Sequence, residues 1–384
     1  MRKFLVLFSV CLVFGCNGTS NPVDAASVGD SGGNDASVGD SGGNDASAND
    51  AGSDAGPIAC SATTCTGAHA CLRNVCVATC GADTTGFDTA LASGLVVLGS
   101  VCRSPAALAF VGDHAYELTS ATVGMVTTFT LSRWSRGSEA PTVTTVATAT
   151  YTAAAAGTMV FAGGYVAVSA DEMRAVFGYT TTLAGAVGGV FDVATGTGVA
   201  TQVAADGNYD ATFGDATHYF VDGALGGMQG LYRATSGTAT FTEVVSHLGD
   251  FSGSVEIWQD HGVALAGGTS FGSAWADGTT TGDRVLVLDP AALASATTPI
   301  DGRTVQQLDM PSSFELLSGG RAASVHWGTS GVDAIHVRTL TRATSGTVTA
   351  AAVVNLTTGG AFTSVAAAGS DVALGFEGGL LFVH

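Results

Sequence analysis

Leu231-Tyr-Arg-Ala-Thr-Ser-Gly-Thr-Ala-Thr-Phe-Thr-Glu-Val-Val245 and Leu340-Thr-Arg-Ala-Thr-Ser-Gly-Thr-Val-Thr-Ala-Ala-Ala-Val-Val354 are near copies of one another. Each alternates apolar and polar residues, breaks at Thr-Ser-Gly-Thr and alternates again, which is the period and punctuation of a β-hairpin. Residues 129–146, 191–203 and 285–308 fit the same slot more loosely. Between these lies a second kind of hairpin, written most plainly as Ala107-Leu-Ala-Phe-Val-Gly-Asp-His-Ala-Tyr-Glu-Leu118. It returns at 158–168, 211–221, 254–266, 314–326 and 362–374. The repeat centres lie roughly 45 to 60 residues apart, a spacing that marks an array of supersecondary units. Two hairpins per unit make four strands, the content of one propeller blade.

The expected fold is therefore all-β, a six-bladed β-propeller over residues 94–384, with tandem β-sandwiches as the alternative. Six first hairpins but five clear second hairpins leave the last unit short. The chain ends on Gly379-Leu-Leu-Phe-Val-His384, about one strand, while Gly94-Leu-Val-Val-Leu-Gly-Ser-Val101 is a strand without a unit. If the second completes the last sheet, the ring closes and its edge strands are hidden.

Upstream the chain changes character. Arg2 and Lys3 precede an apolar run over residues 4–14 that ends in Val13-Phe14-Gly15-Cys16. A basic start, a short apolar core and a small residue form a secretory signal, here residues 1–15. The run is too short to span a bilayer. Its last four residues resemble a bacterial lipobox, which implies that Cys16 is lipidated and that the membrane partner is reached through this anchor; Asn17, where an Asp would signal inner-membrane retention, gives the outer membrane of a Gram-negative cell envelope as the expected location. Residues 16–56 are a tether: Ala26-Ser-Val-Gly-Asp-Ser-Gly-Gly-Asn-Asp35 repeats unchanged as residues 36–45 and then decays. Such a composition cannot bury enough apolar surface to offset its ordering entropy and is expected to be disordered. About forty flexible residues give an r.m.s. reach of roughly 35 Å.

Residues 57–93 form a cysteine-rich module. Cys60, Cys65, Cys71, Cys76 and Cys80 cluster there, and Cys102 follows. Six cysteines in an exported chain indicate three disulfides, with fifteen possible pairings. The gaps lack the Cys-x2-Cys pairs usual for zinc. Cys80 or another member paired with Cys102 would staple the module to the next domain. The tether and the run Cys71-Leu-Arg-Asn-Val-Cys76-Val resemble those of myxobacterial-type secreted lipoproteins, in which an Asp/Ser/Gly tether leads into a small cysteine-rich module.

The formal net charge is −19 at pH 7. A chain this acidic repels phosphate backbones, so nucleic acid is not an expected partner. No lysine follows Lys3, which leaves no catalytic lysine downstream.

Candidate chemistry is sparse, and no catalytic residue, metal ligand or cofactor site is assigned. Among eight histidines, His114 and His218 hold related places in two first hairpins. Their functional reading is a metal or general base at the central funnel. Asp206-Gly-Asn-Tyr-Asp210 is the most oxygen-rich loop but lacks full calcium-loop spacing. Gly185-Ala-Val-Gly-Gly189 is a loop signal without the lysine of a phosphate cradle. Of Trp134, Trp258, Trp275 and Trp327, Trp258 and Trp327 are expected to pack between blades. Trp275 is the candidate for a ligand face.

The resulting expectation is a surface-displayed binding protein with an envelope protein or glycan as its ligand. The alternatives are an exported calcium-dependent, lactonase-like propeller hydrolase and a structural envelope component.

Overall fold

Both copies of the repeated segment fold as hairpins: Met228–Thr235 pairs with Phe241–Ser246, and Asp333–Arg342 with Val348–Thr358. The computed structural model describes Cys60, Cys65, residues 69–80 and 84–92, and most of residues 96–383, apart from short stretches of which 271–281 is the longest. Cys16, the tether and Trp275 lie outside the described residues.

Among the described residues, six sheets of four or five strands follow one another along the chain. Sheet 1 is Ala107–Val111, His114–Val123, Val126–Ser135 and Thr144–Thr152. Sheet 2 is Val160–Val168, Arg174–Thr181, Gly188–Ala194 and Val199–Ala204. Sheet 3 is Gly207–Phe213, His218–Leu225, Met228–Thr235 and Phe241–Ser246, with Ile300–Asp301 added in parallel at its edge. Sheet 4 is Phe251–Trp258, Val263–Ser270, Gly282–Leu288 and Gln306–Met310. Sheet 5 is Phe314–Leu317, Arg321–Trp327, Asp333–Arg342 and Val348–Thr358. Sheet 6 is Phe362–Ala368, Asp371–Phe376, Gly379–Val383 and Val97–Val101.

The first strands lie side by side, that of sheet 6 against that of sheet 1, and so on through sheets 2, 3, 4 and 5. Meandering antiparallel sheets with adjacent first strands make a β-propeller. The closing strand pairs Leu380 with Val101 and Leu381 with Ser100, so the two ends of the domain share one sheet.

One hairpin expected from the sequence is corrected. Residues 158–168 are not a hairpin turning at Gly163-Gly164. They form the single strand Val160–Val168, with a register irregularity between Ala162 and Val166. A glycine pair inside a strand is absorbed as a bulge, because only one strand bends while the ladder continues. The turn falls after residue 168, where Asp171 Oδ1 accepts from Ser169 Oγ at 2.6 Å and from the Met173 amide at 3.1 Å.

Apolar clusters fill the spaces between sheets. Phe129 of sheet 1 meets Phe177, Tyr179 and Phe191 of sheet 2 at centroid distances of 5.9, 5.5 and 5.8 Å. Val176 and Val190 of sheet 2 pack with Phe213 and Tyr219 of sheet 3. Phe220 and Leu231 of sheet 3 pack with Leu286 and Leu288 of sheet 4.

The module has a hairpin, His69–Leu72 with Val75–Ala78, whose turn residues Arg73 and Asn74 take positive φ. Its helix, α1 (Thr85–Ala92), places Phe87 and Ala90 among Val372, Leu374, Phe376 and Leu381 of sheet 6 and runs beside Val348–Thr358 of sheet 5. The disulfides are Cys60–Cys71, Cys65–Cys76 and Cys80–Cys102, and the last joins the module to the end of the closing strand. A second helix, α2 (Pro290–Ser295), lies within the sheet 4 connection, opened by Asp289 at its N-cap.

Candidate functional site between sheets 1 and 2

Strand register makes the repeat physical. His114, Arg174 and His218 each open the second strand of their sheet, opposite Ser135, Ala194 and Thr235 on the third. The sequence paired His114 with His218; the register adds Arg174. Each of the three meets a different partner.

His114 Nδ1 lies 2.9 Å from Glu172 Oε2, on the first turn of the neighbouring sheet. Tyr116 Oη donates to the same oxygen at 2.5 Å, and Arg133 Nη1 stands 3.6 Å away. Tyr116 and Arg133 face each other across the ladder, so consecutive strands of sheet 1 present one donor set. Glu172 adopts φ +58°, a left-handed conformation unusual away from glycine, and its turn is held by Thr195 Oγ1 donating to its carbonyl at 2.6 Å. Burial works against the Glu172 charge, but the hydrogen bonds from Tyr116 and His114 outweigh it and hold the carboxyl below its ordinary range. Burial, then the bond to Glu172, pushes the Tyr116 phenol up to about 12.

Similar clasps join other neighbours at this end of the sheets. Arg174 Nη2 lies 3.1 Å from buried Asp192, which accepts from the Gly237 amide of sheet 3 at 2.6 Å. Gly237 has φ +77°, a backbone conformation that favours glycine at this turn. Arg233 donates to the carbonyls of Leu293 (3.0 Å), Ala294 and Ala296 (3.2 Å), satisfying the C-terminus of α2 in sheet 4. Arg136 of sheet 1 lies 3.8 Å from Asp371 of sheet 6. His218 instead contacts Asp215 of its own turn at 2.9 Å.

The His114–Glu172 clasp stands in a cleft of ≈ 630 Å³. The donor set forms one part of its lining. Thr144, Thr145 and Val146 of the last strand of sheet 1 line it too, as do Asp171, Met173 and the turn from Thr195 to Gly198. The site can hold an ionised carboxylate, a guanidinium and several hydroxyls beside one another. Glu172 and Arg133 were not singled out from the sequence. A signal existed for Arg133, since Leu131-Ser-Arg133, Leu231-Tyr-Arg233 and Leu340-Thr-Arg342 repeat one pattern.

The other candidates fall elsewhere. Trp134 does not line a ligand face: it is 2% exposed, packs edge-on to Phe110 and donates from Nε1 to Glu117 at 3.0 Å. Glu117 is paired with Arg103 as well, so this carboxylate is neutralised within the core. Asp210 is in a strand, not a loop, and accepts from the Val255 amide of sheet 4 at 2.8 Å. Gly188 and Gly189 begin a strand, where a Cβ on Gly189 would lie 2.3 Å from the Tyr179 ring. Asp206, Gly185 and Trp275 lie outside the described residues, and so do the side chains of Trp258 and Trp327. Cys60, Cys65 and Cys76 lie close together but are engaged in disulfides.

No family model and no curated protein sequence matches the chain. Solved structures that resemble it include TolB from Acinetobacter baumannii, at 12% identity and a TM-score of 0.40, covering 78% of this chain and 68% of that one. Kuenenia stuttgartiensis hydrazine synthase aligns at 14% identity and a TM-score of 0.44, covering 71% and 74%. The β-propeller domain of the Trilobed protease from Pyrococcus furiosus aligns at 9% identity and a TM-score of 0.38, covering 72% and 91%.

Proposed function

We propose that the chain is an envelope lipoprotein, anchored at the outer membrane through Cys16, that displays a six-bladed propeller as a binding domain for another envelope component. The observation that carries this reading is the order of parts: a lipobox-like end at Cys16, about forty residues of tether, a stapled module and a propeller. Glu117, Asp192, Asp210 and Arg233 are each engaged in holding strands or sheets together.

The test is fractionation of cells expressing the full chain or its Cys16→Ser variant, with mass spectrometry of the N-terminal peptide and crosslinking on intact cells. The expected result is an acylated Cys16 peptide, membrane recovery that the variant abolishes, and a crosslinked envelope partner. An unmodified N-terminus and equal solubility of the two chains would remove the anchor from this reading.

A further inference from the structure

The cleft between sheets 1 and 2 has a rim that the clasp does not use. Among the described residues eight large apolar side chains are exposed, and one of them, Met173, lines this cleft. Met173 is 57% exposed, and the partly buried Val146 lines the cleft as well. The Tyr116 ring in the lining is 1% exposed.

The charges have a sign as well. Glu172 and Arg133 largely offset one another. Asp171 at the mouth is exposed, and the Ser169 hydroxyl and Met173 amide that donate to it favour its ionised form. The chain as a whole carries −19, a field that draws cations toward it. The volume falls within the range of small-ligand sites, about 300 to 1,000 Å³, and suits one or two side chains rather than a domain.

We propose that this cleft docks a basic, aliphatic segment of a partner protein: a lysine or arginine head reaches the exposed Asp171 carboxylate while its stem and a neighbouring aliphatic side chain lie on Met173 and Val146. Long cationic side chains carry an apolar stem below a charged tip, which matches an apolar rim around acids. Thioether side chains adapt to varied peptide surfaces. This inference rests on the binding reading above and names its partner class and place.

The test uses the full chain in detergent and a fluorescein-labelled, acetylated Lys-Leu-Lys-Leu-Lys-Leu amide, followed by anisotropy. The comparison probes are the same peptide with Glu in place of Lys, and unlabelled chitotriose as a competitor. The Lys peptide is expected to bind and the Glu peptide not to. Asp171→Asn and Met173→Ser, both exposed changes, are each expected to weaken binding about fivefold, with the chain still folded at the assay temperature by its urea midpoint. Arg133→Gln removes a competing cation and is expected to tighten binding about twofold. Equal binding of the Glu peptide, displacement by chitotriose, or indifference to Asp171→Asn and Met173→Ser would overturn the proposal. If the intact-cell crosslinks persist unchanged in the Asp171→Asn and Met173→Ser variants, the cleft is wrong while the binding reading stands. If no crosslink forms with the unmodified chain either, both fall.

Discussion

Glu172 holds three neighbours from a backbone position that most residues avoid. A non-glycine residue at φ +58° is disfavoured by about 1 kcal/mol, which must be outweighed by what its side chain and its turn gain. Glu172→Gln keeps the shape and removes the charge. It is expected to lower stability by about 1 kcal/mol at neutral pH, measured by thermal denaturation. Because folding lowers the Glu172 pKa, its contribution is present above the free carboxylate's 4.5 and fades as pH falls through the folded value. The wild type and the Gln variant should therefore converge in acid. His114, Tyr116, Arg133 and Asp171 are the ionisable groups facing it. Asp215 supplies a second acid-sensitive contact. Burial opposes its charge, but the amides of Thr217 and His218 and their side chains bring its pKa down to about 2. That contribution is complete above about pH 4 and lost between there and about pH 2; Asp215→Asn should remove about 1 kcal/mol of this dependence, given the group's exposure. Urea titrations at pH 7, 4 and 2 separate the two residues.

Packing between whole sheets stabilises the fold more than any single clasp does. Phe129 is wholly buried against three rings of sheet 2, and Phe129→Ala is expected to destabilise by about 3 to 5 kcal/mol, seen in the urea midpoint. The Arg174–Asp192 clasp has a different energetic structure. Desolvation raises the Asp192 pKa, only partly offset by the Gly237 amide and the Arg174 charge. Arg174→Met alone leaves that carboxylate unpaired and should destabilise by about 3 kcal/mol, whereas adding Asp192→Asn should recover most of the loss. The hairpins were legible in the sequence because alternation and Thr-Ser-Gly turns are local signals. Gly163-Gly164 misled because glycine marks a bulge as readily as a turn, and only the partner strand decides which. The start of α2 was written in Asp289-Pro290, an N-cap followed by proline, but six residues are too few for helical periodicity to register. The cleft was invisible for a different reason: Glu172 and His114 meet across two sheets, and the sequence repeat does not say which turn faces which strand.

At the scale of the whole molecule, the module and the closure form one object. Val77, Phe87 and Ala90 share a core with sheet 6, the Ala78 amide donates to Ser100 Oγ at 2.6 Å, and Cys80–Cys102 fastens the end of the closing strand. A cross-link spanning 22 residues restricts the unfolded chain by about 3 kcal/mol, so Cys80→Ser with Cys102→Ser should lower the melting temperature by several degrees. The loss should appear first as exchange of the Val97–Val101 amides, followed by hydrogen–deuterium mass spectrometry. The closure also imposes an order of events on the chain. Val101 is synthesised roughly 280 residues before Leu380, the residue it pairs with, and loop closure over such a span is slow. Until then the strand has no ladder of its own and exposes its edge. The ring therefore stays open until the C-terminal strands have been made. A chain that stops short of Gly379–Val383 is expected to leave Val97–Val101 unpaired, which limited proteolysis of truncated chains would read as faster cleavage near that strand.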